Sequence, residues 1–370
     1  MKMKMNGIGM QRGITRGRLG VRREHRDSMR DSAVPSSSYT SSCAVAVHAV
    51  VPEMESSSSS SARESEDRSR SIRNSFESVF SVRSFDVGPD KGATLPCIAN
   101  MLQETGVEQL VSHHGRGGRF YATDPEMDRR NLIFVLSRLR LDMRKYPAWG
   151  ARVAVRTWFA QSGRAAWRRD WLVRDADTGE QLGAASSIWL TVNTETRRPG
   201  KVDGSLRDKY EQLTNSDAWA LGEGETAGKV PEMQSKSDVG DADADAESGD
   251  DGAYELRVPF GTLDMNGHVN NVQYMTWILD SVPAAVRESC SCTSITVEYR
   301  SESEVGSNVC CTTRTMQGDD EAASSTACDT DGNANDTHEL LHTVRTAGNT
   351  SARNEVARAI STWISYPIEP

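Results

Sequence analysis

Apolar residues recur along this chain with two periods, and each change of period marks an element. Phe76, Val79, Phe80, Val82 and Phe85 open the first folded stretch, and Gly88 to Gly92 supply turn chemistry. From Ala93 to His114, Leu95, Ile98, Met101, Leu102, Val107, Leu110 and Val111 fall on one stripe at helical spacing, with Gly106 as its weak point. The period then drops to two. Val153, Val155, Thr157 and Phe159 alternate with polar neighbours, as do Trp167, Trp171 and Val173 with Arg168, Asp170 and Arg174. Asp175 to Gly179 reads as a turn, and Ile188, Leu190 and Val192 continue the alternation through Gln181–Asn193. Further on, Val272, Met275, Leu279 and Val282 return to helical spacing, and Pro283 is expected to end that helix. Ile295, Val297 and Tyr299 alternate as a strand, followed by strand signals over Leu341–Thr346 and Val356–Ile364.

One plan therefore occurs twice, a helix of some length followed by several antiparallel strands. Periodicity predicts an α+β fold of two similar units. A sheet curved around each helix would bury its stripe, and the two sheets can join side by side.

Composition sharpens the boundaries. Aromatic residues make up 6% of the chain and the mean hydropathy is −0.56, and the polar excess is local. Residues 1–31 hold nine Lys/Arg against three Asp/Glu, and six serines follow at 56–61, so residues 1–70 read as an organelle-import leader or a disordered tail. Residues 222–252 carry ten Asp/Glu and two Lys, nearly the whole net charge of −9, and are expected to be an acidic disordered linker. A second low-complexity insert spans 317–337. The expected units are thus 76–215 and 253–367. Between residues 116 and 170, thirteen Arg/Lys face five Asp/Glu, a basic stretch that would attract an acidic partner. It lacks the interleaved aromatics of a nucleic-acid surface. The seven cysteines show no zinc-ligand or disulfide-framework spacing, and no apolar run is long enough for a membrane-spanning helix.

The densest polar segment in an apolar context is Leu263-Asp-Met-Asn-Gly-His-Val-Asn-Asn271. Asp264, Asn266 and His268 alternate, so in an extended segment their side chains would project together. A carboxylate, an amide and an imidazole on one face can orient and activate water. Asn270 or Asn271 should cap the following helix, whose positive end suits an oxygen that becomes negative during attack. A second acidic patch, Glu298, Glu302 and Glu304, lies on and just after the strand TSITVEYR and could supply a base. Taken alone, Asp-x-Asn-x-His reads more readily as an Asx-rich turn that caps a helix, with His268 merely packed.

The blocks FSVRSFDVGPDKGAT, LQETG, RRNLIFVLSRL, YPAWG, VRTWFAQSG, RRDWLVRD, TGEQLGAASSIWLTVN, TRRPGK, LDMNGHVNNVQYMTWILDS and VEYRSE stand in one order from Phe76 to Pro367. In that order they resemble the plant and algal acyl-acyl-carrier-protein (acyl-ACP) thioesterases. The resemblance implies two hotdog units in tandem, each a long helix wrapped by a curved antiparallel sheet. It implies an N-terminal unit that sets acyl-chain specificity and a catalytic C-terminal unit. It also implies hydrolysis of long-chain acyl-ACP in the plastid stroma, with no cofactor or metal, and with the carrier docking around Arg129–Arg169. Asp264, Asn266, His268 and Glu302 would match the family's catalytic set. Two departures stand out: Ser303 occupies the place of a family cysteine once assigned as nucleophile, and Gly267 that of a larger polar residue. An acyl-CoA thioesterase and a non-catalytic acyl-binding protein are the other readings.

Overall fold

The computed structural model describes residues 74–116, 125–162, 166–200, 202, 204–233, 252–316, 337–346 and 354–365. The leader 1–70, linker residues 234–251 and insert residues 317–336 lie outside the described residues. The order is β1 (Phe76–Ser81), α1 (Leu95–His114), α2 (Pro125–Arg129), β2 (Leu132–Met143), β3 (Arg152–Gln161), β4 (Ala166–Asp175), β5 (Gln181–Asn193), β6 (Arg198–Pro199) and α3 (Gly204–Glu211). Then come β7 (Gly252–Arg257), a 3-10 turn (Phe260–Thr262), α4 (Asn271–Asp280), α5 (Ala284–Ser289), β8 (Cys290–Tyr299), β9 (Asn308–Thr315), β10 (Thr337–Thr346) and β11 (Glu355–Ser365).

All the described strands belong to one antiparallel sheet with path order β1-β3-β4-β5-β2-β8-β11-β10-β9-β7, β6 pairing off the path with β5. Read outward from its centre, the path repeats the same order in each half, with β2 and β8 as the seam. There Arg138 to Asp142 pair with Glu298 to Ser294. Each half lays one long helix on its part of the sheet, the two helices touch, and a single apolar core runs through both. This is the tandem hotdog arrangement that the resemblance implies.

Local chemistry sets the helix ends. The Thr94 side chain accepts the Cys97 N–H (3.3 Å), Pro96 sits in the first turn of α1, and Gly115 ends it with φ 75°. Its buried stripe includes Leu95, Ile98, Leu102 and Leu110. The Asn270 side chain accepts the Val272 N–H (3.0 Å) and caps α4. That helix ends at Asp280 rather than at Pro283. Pro283 instead stands at the N-cap of α5, where its missing N–H costs nothing.

The expected disorder of 222–252 does not hold for residues 222–233. Ala227, Val230 and Met233 are buried, and Val230 and Met233 pack with Leu341 and Ile360 on the sheet of the second half. The Val230 N–H also donates to Glu298 Oε2 (3.3 Å). Three apolar residues and one charge-assisted bond hold a segment whose composition is that of a linker.

Candidate active site

A cavity of about 170 Å³ lies between the two helices and the sheet. The first half gives it apolar walls: Val107 and Leu110 of α1, Ile133 to Leu136 of β2, Phe159 of β3, and Trp171 and Trp189 of β4 and β5. Trp171 donates its indole N–H to the Leu102 carbonyl (2.9 Å), which fixes helix to strand with no polar atom left over. The second half gives it a polar end: Asp264, Asn266, His268, Asn271, Tyr274, Tyr299, Ser301 and Glu302.

All four sequence candidates therefore reach one cavity, though by a different local route. Asp264 to His268 form a closed turn instead of an extended run. Leu263 and Val269 pair across it, the Asp264 N–H donates to the His268 carbonyl (2.7 Å), and Gly267 closes it with φ 79°. Asp264 Oδ1 accepts the N–H of Asn266 (2.8 Å) and of His268 (3.1 Å). A carboxylate with short side-chain reach makes such a turn its lowest state, because it satisfies two backbone donors at once. Glycine at 267 adopts the left-handed backbone without the penalty that a larger residue would carry.

Glu302 lies beyond the end of β8, with its Oε1 3.8 Å from His268 Nδ1. That separation is too long for a direct hydrogen bond and leaves room for both groups to bond one water. Burial pushes the Glu302 carboxyl above the usual carboxylate range. The His268 and Arg197 charges oppose that shift and the Asp264 carboxylate adds to it.

Of the acidic patch read from the sequence, only Glu302 reaches the cavity. Glu298 turns to the opposite face, toward the Val230 N–H and Arg300 (3.4 Å), and Glu304 is exposed. Ser303 is buried at 8% exposure and is not among the cavity walls. Its N–H donates to the Tyr274 hydroxyl (2.9 Å), and the Tyr299 hydroxyl donates to the Asn271 carbonyl (3.2 Å). These two tyrosines tie the Glu302 loop and β8 to the first turn of α4. The sequence reading missed them, as it missed Arg197. An aromatic residue in the first turn after the polar segment was the available signal for Tyr274.

The basic stretch Arg129–Arg169 does not form one face. Alternation along the strands splits it between the two sides of the sheet. Arg168 is buried against Asp170 (3.1 Å) and the Trp219 ring, and Arg169 is buried within the first half. Arg140, Lys145, Arg152 and Arg156 pair with Asp142, Glu180, Asp177 and Glu77. Among the described residues no group of three His, Cys, Asp or Glu is placed to hold a metal ion, and no helix is long and apolar enough to cross a membrane.

The acyl-ACP thioesterase N-terminal domain model matches residues 73–210, and the acyl-ACP thioesterase C-terminal domain model matches residues 246–364. The chain is 40% identical over 228 residues to palmitoyl-acyl carrier protein thioesterase, chloroplastic, of Arabidopsis thaliana, a match covering 61% of this chain and 52% of that protein. It is 33% identical over 299 residues to oleoyl-acyl carrier protein thioesterase 1, chloroplastic, of the same plant, covering 79% and 77%. Among solved structures it resembles the 12:0-ACP thioesterase from Umbellularia californica, with TM-score 0.65, 28% identity, and coverage of 81% of this chain and 98% of that one. The chain spans about half the length of the palmitoyl relative.

Proposed function

Since the chain belongs to the acyl-ACP thioesterase family, we propose that it hydrolyses the thioester of long-chain acyl-ACP to free fatty acid and carrier thiol. One observation carries this reading: His268 and Glu302 stand 3.8 Å apart at the polar end of a cavity whose other walls are apolar except at Gln103 and Arg169. The acyl tail lies along the first half and the thioester meets the second. Glu302, as carboxylate, takes a proton from a water that adds to the thioester carbonyl carbon. Glu302 passes that proton to His268, which polarises the carbonyl and delivers a proton to the sulfur as the C–S bond breaks, so both groups return to their starting states. Asn266 and the positive end of α4 face the developing oxyanion. Asp264 acts as a positioning residue, because its carboxylate is committed to the turn. No cofactor or metal takes part.

Residues 76–215 serve as the specificity unit and 253–367 as the catalytic unit, with 1–70 as a plastid transit peptide and 222–252 as the connection. The chloroplastic names of the relatives support action in the plastid stroma. The carrier protein docks on the solvent-facing members of the 129–169 stretch that gather at the β2–β3 corner, Arg144, Lys145 and Arg152.

The test is release of free fatty acid by purified protein from acyl-ACPs of several lengths, with acyl-CoA in parallel. Turnover on the carrier protein well above that on CoA is expected. Equal turnover would make it a general acyl thioesterase, and binding without hydrolysis an acyl-binding protein.

A further inference from the structure

Arg169, on β4, is 3% exposed. Its Nη1 donates to Gln109 Oε1 of α1 and to Thr157 Oγ1 of β3 (3.3 Å), and its guanidinium carbon lies 5.0 Å from the centre of the Phe159 ring. All three partners are neutral. Among the described residues no carboxylate pairs with Arg169, and no acceptor meets its Nε or Nη2. Burial lowers its pKa to about 10, which still leaves a full positive charge at neutral pH. A buried cation without a counter-charge is strongly disfavoured unless something else supplies one.

Arg169 also lines the cavity whose other end holds His268 and Glu302. Its stem packs directly against α1 at Gly106, where a Cβ would stand 3.4 Å from Arg169 Cδ. A hydrocarbon tail offers no acceptor to a guanidinium. The wall at this point suits an oxygen anion, and arginine's planar fork suits a carboxylate above all.

We propose that the inner part of the cavity is a second, polar subsite in which Arg169 receives a carboxylate carried on an aliphatic chain. The carboxylate is either the far end of an ω-carboxyacyl chain bound with its thioester at His268, or the head of a free fatty acid bound in the inverted direction. The proposal rests on reading the cavity as an acyl tunnel, and it is tested by binding, so that loss of turnover and loss of the subsite are separate results.

Calorimetric titration of the full-length protein at neutral pH would use straight-chain monocarboxylates, α,ω-dicarboxylates and dicarboxylate monomethyl esters over a range of lengths. In the wild type, a dicarboxylate of matching length and its monomethyl ester, each with a carboxylate for Arg169 and a carbonyl for the His268 end, should bind at least about tenfold more tightly than the equal-length monocarboxylate. That preference should fall to within twofold in Arg169→Met and survive in part in Arg169→Lys. Such a result identifies the ω-carboxy chain. No dicarboxylate preference, combined with monocarboxylate binding weakened by Arg169→Met and unchanged by His268→Ala, identifies the inverted fatty acid. If Arg169→Met does not fold, Arg169→Lys and the wild-type length series carry the test. Equal affinity for all three ligand classes at every length, unmoved by either variant that folds, overturns the subsite.

Discussion

In the second half, His342 on β10 is 1% exposed, with Thr313 Oγ1 of β9 at 2.7 Å from Nδ1 and Ser361 Oγ of β11 at 2.7 Å from Nε2. Thr313 passes the chain on to Ser281 at the C-terminal end of α4 (2.7 Å), and the Trp363 indole N–H donates to Ser361 (2.8 Å). In the first half the matching strand is β4, and there Arg169 reaches Thr157 on β3 and Gln109 on α1. Both halves thus bury one basic side chain beneath the helix. One centre is closed, since both ring nitrogens are bonded and burial holds the imidazole neutral with its pKa lowered to about 3. The other is open, with its charge kept and donors turned to a cavity. In register the position matching His342 is Trp171, and Arg169 lies two residues along the same strand. A repeated plan can thus use neighbouring positions of one strand for packing in one half and for a ligand in the other, and satisfaction of the polar atoms tells the two uses apart.

The same contrast holds at the helix starts. α1 follows a Thr-capped turn with no further chemistry, whereas α4 follows the Asp264–His268 turn that faces the cavity. The largest expected effect breaks this asymmetry. His268→Ala should lower kcat by about two to four powers of ten, the usual worth of general acid–base catalysis, with the thermal unfolding midpoint little changed. Near-normal turnover by the folded variant would remove His268 from the reaction and leave the two helix starts equivalent.

A smaller effect separates positioning from chemistry within the turn. Asp264→Ala removes the acceptor of two backbone N–H groups and should reduce kcat by about ten- to a hundredfold, since charge-assisted bonds are worth about 1.5–3 kcal/mol each. Asp264→Asn keeps an oxygen at that place and should recover most of the loss. If both variants are equally dead, the charge of Asp264 is needed at the reacting atoms themselves.

The closed centre makes a prediction about stability rather than rate. The His342 pKa is lowered from 6.5 to about 3 in the folded state, so between those values the unfolded chain binds a proton that the native one does not. Stability from this group is complete above pH 6.5 and is lost as pH falls, by at most about 1.4 kcal/mol per pH unit. Urea unfolding of the wild type and His342→Gln at several pH values between 4 and 7 should show a shallower slope for the variant. Parallel slopes would mean that the buried imidazole does not govern the acid limb.

How much of this was legible beforehand depended on whether the buried residues looked buried. The stripe of α1 and the alternation of β3 and β5 are apolar, and both were read correctly. β9 was not, because its inward positions are Val309, Cys311 and Thr313, and a buried threonine bonded to a histidine carries no hydropathy signal. β2 escaped because a bulge between Leu136 and Arg138 interrupts its alternation. Arg168, Arg169 and Asp170 read as part of a basic surface and are almost wholly buried, a tertiary outcome that no local window contains. The site was legible as a set of residue types, Asp264, Asn266, His268 and Glu302. Its geometry was not, since the turn depends on backbone bonds to Asp264 and the Glu302 loop on Tyr274, a residue 28 positions earlier in the chain.

The smallest expected effect concerns Ser303, the residue that stands in the place of the family cysteine beside Glu302. β8 ends at Tyr299, so strand alternation does not decide where these two side chains point. The Ser303 backbone N–H is held by the Tyr274 hydroxyl, which leaves Glu302 lining the cavity and keeps Ser303 out of its walls. A serine nucleophile would need a base in contact with its hydroxyl and an oxyanion site aligned to it, and the groups able to act as base line the cavity that Ser303 does not. Ser303→Ala keeps the backbone bond to Tyr274 and should retain activity within a few-fold, whereas Glu302→Ala should lose most of it. Rapid-quench mass spectrometry during turnover supplies the second readout, because attack by water leaves no acyl group on the protein. An acyl adduct trapped on Ser303, or an inactive Ser303→Ala beside an active Glu302→Ala, would transfer the chemistry from the cavity-facing carboxylate to the buried hydroxyl.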